Sequence, residues 1–74
     1  MASEVHEVGG VFRDLNQARV AVAAARRRGM QTTDADRLVQ DAAGVHVTVR
    51  TAGSPETARR LLLEYGAYSA TVTA

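Results

Sequence analysis

Two histidines and two aspartates are the side chains of this sequence best suited to catalysis or metal binding. His6 and His46 are the only imidazoles, and they could approach each other if the first and third strands are neighbours, but zinc normally takes at least three protein ligands. Asp34 and Asp36 share one loop, yet a carboxylate pair needs a histidine, a metal or a burying pocket to act as acid and base. We therefore predict no catalytic residues, no metal site and no cofactor.

A glycine pair and two groups of arginines could support binding rather than catalysis. Gly9 and Gly10 lack the remainder of a dinucleotide-binding motif, although their exposed backbone amides could form a ligand loop for a small effector. The arginines at 26–28 and 59–60 place guanidinium groups near the ends and outer faces of predicted helices. There they could bind phosphate, or they could complement the helix dipole and stay solvated. Because the net charge is only +1, we predict no nucleic-acid partner.

Size and composition describe one small domain. A chain of 74 residues buries only about 60% of its unfolded surface, so we expect self-association to support its stability. The absence of cysteine excludes disulfides, thiolate nucleophiles and cysteine-ligated metals. All nine basic residues are arginine, which we attribute to a GC-rich bacterial genome. The first residues carry neither a basic region nor an apolar run, so we predict a cytoplasmic protein without membrane contact.

A strand-helix-strand unit occurs twice along the chain. The first copy has a strand over residues 5–12, a helix capped by Asp14 and ended by Gly29, and a short edge strand over 36–41. The second has a strand over 45–50, a helix that starts at Ser54-Pro55 and ends at Gly66, and a strand over 68–73. Two such units in tandem predict a βαββαβ ferredoxin-like plait in the α+β class. Its four-stranded antiparallel sheet would carry both helices on one face.

The spacing of apolar residues predicts which side chains are buried. Residues at helical spacing form one stripe on each helix, and alternating residues form the inner face of each strand. The predicted buried set is Val8 and Phe12; Leu15, Ala18, Val22 and Ala25; Val45, Val47 and Val49; Ala58, Leu61, Leu62 and Tyr65; and Ala70 and Val72.

The outward residues of the last two long strands define a predicted interaction face. An RNA-binding sheet needs stacking aromatics there, and heavy-metal carriers of this fold need two cysteines in the loop where this chain has Phe12-Arg13-Asp14. Neither class fits. Threonine-rich strands can instead pack against a second copy or pair edge to edge, and the alternative is a hydrated sheet. The face consists of His46, Thr48, Arg50, Ser69, Thr71 and Thr73.

Several short segments resemble the bacterial YflT-type general stress proteins. They are Gly10-Val11-Phe12, the alanine-rich helix that ends at Arg28-Gly29, the strand Gly44-Val45-His46-Val47-Thr48-Val49, and the junction from Leu61-Leu62 to Gly66-Ala67-Tyr68. The resemblance spans nearly the whole chain, which departs from the family pattern in a shorter connection over residues 31–44. The resemblance implies a small stress-associated bacterial domain, and it brings no catalytic positions with it.

These observations predict a small non-enzymatic bacterial protein that acts by self-association or protein-protein contact. We expect a homo-oligomer. The alternative is a small-molecule-sensing regulatory domain similar to the ACT type, with its effector bound near Gly9 and Gly10 or at an interface between two copies.

Overall fold

The computed structural model describes residues 5–73 of the 74-residue chain and is an α+β structure with two helices and five strands. The strands form one antiparallel sheet in the order β2-β4-β1-β5, and β3 also pairs with β4. In chain order the elements are β1 (His6–Phe12), α1 (Leu15–Arg27), β2 (Gln31–Thr32), a 3-10 turn (Ala35–Arg37), β3 (Gln40–Asp41), β4 (Gly44–Thr51), α2 (Pro55–Glu64) and β5 (Ser69–Val72).

β1 and β4 form the centre of the sheet and bury alternate side chains. Val8 pairs with Val49 and Phe12 pairs with Val45, and all four side chains are fully buried. Val47 completes the inner face of β4, as its alternating pattern predicts. Buried residues from both helices join these side chains in one core. Both helices therefore lie on the same face of the sheet.

α1 begins and ends at the predicted residues. The Asp14 carboxylate accepts a hydrogen bond from the Gln17 amide at 2.8 Å, which satisfies one of the free amides at the start of a helix. Gly29 follows the last turn with a φ of 81°, the left-handed conformation common at helix ends. Small side chains let the helix lie close to the sheet, and the buried ones are Ala18, Ala21, Val22, Ala24 and Ala25.

α2 starts at its predicted cap and approaches the sheet over a glycine. The Ser54 hydroxyl accepts a hydrogen bond from the Thr57 amide at 3.4 Å, and Pro55 is the first helical residue. A Cβ built on Gly10 would lie 2.9 Å from Leu62 Cδ1. Gly10 therefore makes room for the buried Leu62 side chain, the close approach that a glycine within a strand indicates.

The predicted edge strand over residues 36–41 is confirmed only at Gln40–Asp41 and is wrong over residues 36–39. This edge is divided into two strands of two residues each, β2 and β3, with the 3-10 turn between them. The Asp34 carboxylate accepts a hydrogen bond from the Asp36 amide at 3.2 Å, and such local bonds favour a turn over extended chain. The turn leaves Leu38 only 8% exposed and Val39 71% exposed. The sheet therefore has five strands rather than the predicted four.

Two residues predicted to be buried are exposed instead. Val72 in β5 is 41% exposed, whereas its partner Val8 in β1 is fully buried. Among the strands of residues 5–73, β5 is an edge strand that pairs only with β1, so Val72 lacks the second strand neighbour that covers Val8. Tyr65 is 36% exposed because it is the capping residue that closes α2 at the margin of the core.

Candidate functional site

The sheet face opposite the helices, which we call the open face, carries all six residues of the predicted interaction face. Five of them are exposed and Thr48 is half-buried. Strand register brings these residues together, since β1 lies between β4 and β5. Residues that pair across β4, β1 and β5 form three rows on this face. The rows are His46-Val11-Ser69, Thr48-Gly9-Thr71 and Arg50-Glu7-Thr73.

Gly9 and Gly10 lie in the middle of β1 rather than in a loop, so the predicted ligand loop is a strand. β1 pairs with β4 on one side and with β5 on the other, and its backbone groups are therefore part of the hydrogen-bonded ladder. Gly10 is buried beneath Leu62, while Gly9 is half-buried and belongs to the middle row of the open face. A Cβ built on Gly9 would meet only the Thr73 methyl group, at 3.9 Å.

One ion pair crosses the open face. Arg50 Nε donates to Glu7 Oε2 at 3.2 Å, and both side chains are in contact with solvent. An exposed pair of this kind contributes about 0.2–1 kcal/mol to stability. It neutralises the charge at this end of the open face, which leaves hydroxyl groups as the main chemistry of the remaining rows.

The turn between β3 and β4 is held by one aspartate. The Asp41 carboxylate accepts hydrogen bonds from the amides of Ala43 at 2.8 Å and Gly44 at 3.1 Å. The hydroxyl of Tyr68 donates to the Ala43 carbonyl oxygen, which ties the start of β5 to this turn. The second Asp41 oxygen lies 3.6 Å from His46 Nε2. Asp41 and His46 are thus brought together, but as a solvent-exposed pair beside a turn.

The two histidines do not approach each other. His6 pairs with Thr51 at one end of the β1-β4 ladder, and His46 pairs with Val11 near the other end. The two positions are five residues apart along β1, or about 16 Å, and the alternation of side chains places the rings on opposite faces. Over residues 5–73, no three histidine, cysteine or carboxylate side chains form a metal-binding group.

Several of the other charged residues singled out from the sequence have local structural partners. Asp34 caps the 3-10 turn. Arg59 donates to Glu56 at 2.6 Å, and this hydrogen bond lowers the pKa of Glu56 while it raises the pKa of Arg59. Arg26 Nε donates to the Thr32 hydroxyl at 2.9 Å. These contacts give one arginine in each of the two predicted groups, Arg26 and Arg59, a partner within the protein.

Two shallow clefts open on the surface. One, of about 230 Å³, lies on the open face beside β2 and is lined by Gln31, Thr32, Thr33, Thr48 and Arg50. The other, of about 340 Å³, lies between the end of α1 and the start of α2 and includes Arg28, Gly53 and Ser54 among its lining residues. Neither brings together groups that could act as a nucleophile and a base.

The two edges of the sheet differ in length and in charge. This difference is not part of the prediction from the sequence. One edge consists of the short strands β2 and β3 around the 3-10 turn, with Asp34, Asp36 and Arg37 beside it. Short strands and charges protect an edge from pairing with other chains. The other edge is β5, a regular strand, and no charged residue occurs between positions 65 and 73. That uncharged run is the sequence signal that could have identified the unprotected edge.

No protein-family model matches the chain, and neither does any curated protein or solved structure. Neither helix of the described range is long and apolar enough to cross a bilayer.

Proposed function

We propose that this chain is a small non-enzymatic protein that acts by association with copies of itself. The observation that carries the proposal is the one-sided construction of the sheet. Both helices and the whole core lie on one face, while the open face and the regular edge strand β5 are exposed. A small domain that leaves this much sheet uncovered has surface available for a partner, and its small core provides only limited stability.

The same proposal treats the fold as a ferredoxin-like plait. β2 and β3 pair with the same strand, β4, and together they would occupy the place of one edge strand in that plait. The order β2-β4-β1-β5 is then the order of a four-stranded plait with an interrupted edge. The interruption adds one strand to the count and leaves the two crossover helices on one face.

The proposed setting is the bacterial cytoplasm under stress. This setting rests on the resemblance to YflT-type general stress proteins. Association is favoured over small-molecule sensing because Gly9 and Gly10 lie in a paired strand, where few backbone groups remain for an effector. The hydroxyl-rich open face and the uncharged β5 edge are also sufficient surfaces for contact between two copies.

The proposal predicts a reversible dimer in solution. Because a single edge or face of so small a domain makes a modest interface, we expect a dissociation constant on the order of 100 µM. Sedimentation velocity of the wild-type protein should show the mean mass rising from monomer to dimer with concentration. A monomer throughout the high-micromolar range would contradict the proposal.

Ionic strength provides a matched control for the origin of this association. Screening by salt weakens contacts between exposed charges, whereas backbone hydrogen bonds at an uncharged edge do not depend on charge-charge attraction. We therefore expect the dimer fraction to stay nearly constant between about 0.05 and 0.5 M salt. A steep loss with salt would indicate that the arginines hold the copies together instead.

A further inference from the structure

We propose that β5 is the surface through which two copies associate, and that it pairs antiparallel with β5 of a second copy about a two-fold axis at Thr71. This inference rests on the proposed function and specifies the surface and the register. The result is one continuous sheet across two molecules, with the helices of both on the same side.

The backbone of β5 has hydrogen-bonding groups directed away from the sheet. The Thr73 amide donates to the Glu7 carbonyl oxygen at 2.8 Å, so Thr73 directs its backbone groups toward β1. Backbone groups alternate in direction along an antiparallel strand. Thr71 therefore also directs its groups toward β1, while the amides and carbonyls of Ala70 and Val72 are directed outward at the β5 edge.

A two-fold axis at Thr71 satisfies these outward groups. Thr71 then lies opposite Thr71 of the second copy as a pair without mutual backbone hydrogen bonds. Ala70 lies opposite Val72 of the second copy, and the reverse pair follows by symmetry. Each of these two pairs exchanges two backbone hydrogen bonds, so four new bonds form and all the outward groups of Ala70 and Val72 are used.

The side chains of β5 suit this register. Val72 is 41% exposed in the single molecule, and it would pack beside Ala70 of the second copy on the helix side. The two Thr71 side chains would meet on the open face, and threonine pairs across strands are favourable. No charged residue lies between positions 65 and 73, so the two β5 strands place no charged side chains of their own opposite each other.

The other surfaces fit a second copy less well. The β2-β3 edge offers only two two-residue strands, and a second copy would bring another Asp34 and Asp36 toward the same acidic residues. The open face carries the paired charges of Glu7 and Arg50, which would lose water on face-to-face packing. Within residues 5–73, β5 alone combines a regular edge strand with a sequence free of charged side chains.

Cross-linking tests the register directly, because the wild-type chain contains no cysteine. In the proposed dimer the two Cβ atoms at position 71 lie within reach of a disulfide. Thr71→Cys should therefore give a covalent dimer under mild oxidation at concentrations where the wild type associates. Thr48→Cys, on the open face but in the central strand β4, is the matched control and should remain largely monomeric. Efficient cross-linking through Thr48→Cys and none through Thr71→Cys would overturn the proposal.

A charged variant at the same position tests the same surface by disruption. Thr71→Lys places two like charges opposite each other in the proposed dimer, and we expect it to weaken association at least tenfold. Thr48→Lys adds the same charge to the open face and should associate within about twofold of the wild type. Circular dichroism confirms that each variant is folded. A tenfold loss in Thr48→Lys with normal association of Thr71→Lys would assign the interface to the open face.

The outcomes separate the two proposals. A monomeric wild type rejects self-association as the function and the β5 interface with it. A wild type that associates while Thr71→Lys associates equally well rejects only the β5 interface. Loss of association in Thr71→Lys alone, together with cross-linking through Thr71→Cys, supports both.

Discussion

Gly44→Ala should leave the protein largely unfolded at room temperature. Gly44 has a φ of 125°, which L side chains rarely adopt, and an added Cβ would overlap the carbonyl oxygen of Phe12 and approach Val11 Cγ1 to 3.1 Å. The carbonyl oxygen belongs to the central strand β1 and cannot rotate away. We expect a loss of at least about 3 kcal/mol in the free energy of unfolding, which is comparable with the stability of so small a domain.

Gly29→Ala is the control that separates steric overlap from backbone conformation. Gly29 also has a positive φ, 81°, but nothing lies within 4 Å of an added Cβ. This variant should lose only about 1 kcal/mol. Urea denaturation followed by circular dichroism measures both variants. Equal losses at the two positions would show that the Phe12 carbonyl does not approach Gly44 as closely as described.

Gly66→Val should be the next most damaging substitution. Gly66 follows the cap of α2 with a φ of 104°, and an added Cβ would lie 3.1 Å from Gln17 Nε2. Gln17 is exposed and can move, so the backbone conformation contributes most of the loss. A β-branched residue at this φ is strongly disfavoured. We expect a decrease of about 2 kcal/mol in the free energy of unfolding.

Gly53→Val is the matched control for that substitution. Gly53 does not have a positive φ, and the nearest atom to an added Cβ is Thr51 Oγ1 at 3.5 Å. Its loss should stay within about 0.5 kcal/mol. Both urea titrations need the same protein concentration, because association raises the apparent stability. A Gly66→Val variant with unchanged stability would contradict a helix that ends at Glu64 and is capped by Tyr65.

Most of the fold could be predicted from local signals in the sequence. Asp14 and Ser54-Pro55 mark both helix starts, because a side-chain oxygen is needed where backbone amides lack partners. The alternating valines of β4 predict its buried face correctly. Gly10 indicates a close approach, which Leu62 makes. Each of these signals depends on residues close in sequence or on a simple period.

The errors fall where tertiary contacts or local capping decide the outcome. Leu38 and Val39 have the composition of a strand, but the Asp34 cap starts a turn and sends only Leu38 into the core. Val72 follows the alternation of a buried strand and is nevertheless exposed, because β5 is at the edge of the sheet. The periodic spacing of apolar residues shows which face of a strand or helix a residue belongs to. It does not show whether another strand or helix covers that face.

The surface could be predicted only in part for the same reason. Strand alternation placed His46, Thr48 and Arg50 correctly on the open face. The separation of His6 from His46 follows from strand register, which a pattern of single strands does not specify. The outward direction of the Ala70 and Val72 backbone groups also depends on which side of β5 lies against β1. Only the order of the strands in the sheet shows which side of β5 this is.

Amide hydrogen exchange at Ala70 and Val72, measured over a range of protein concentrations, tests most directly whether the chain acts by pairing β5 with a second copy. In a monomer these outward amides have no strand to bind and should exchange rapidly. If β5 pairs with a second copy, the protection of these two amides should rise with concentration in step with the dimer fraction. The Thr73 amide is bonded to Glu7 within each molecule, so it should already be protected in the monomer and should gain much less protection with concentration. Exchange at Ala70 and Val72 that stays rapid while the protein dimerises would contradict the account.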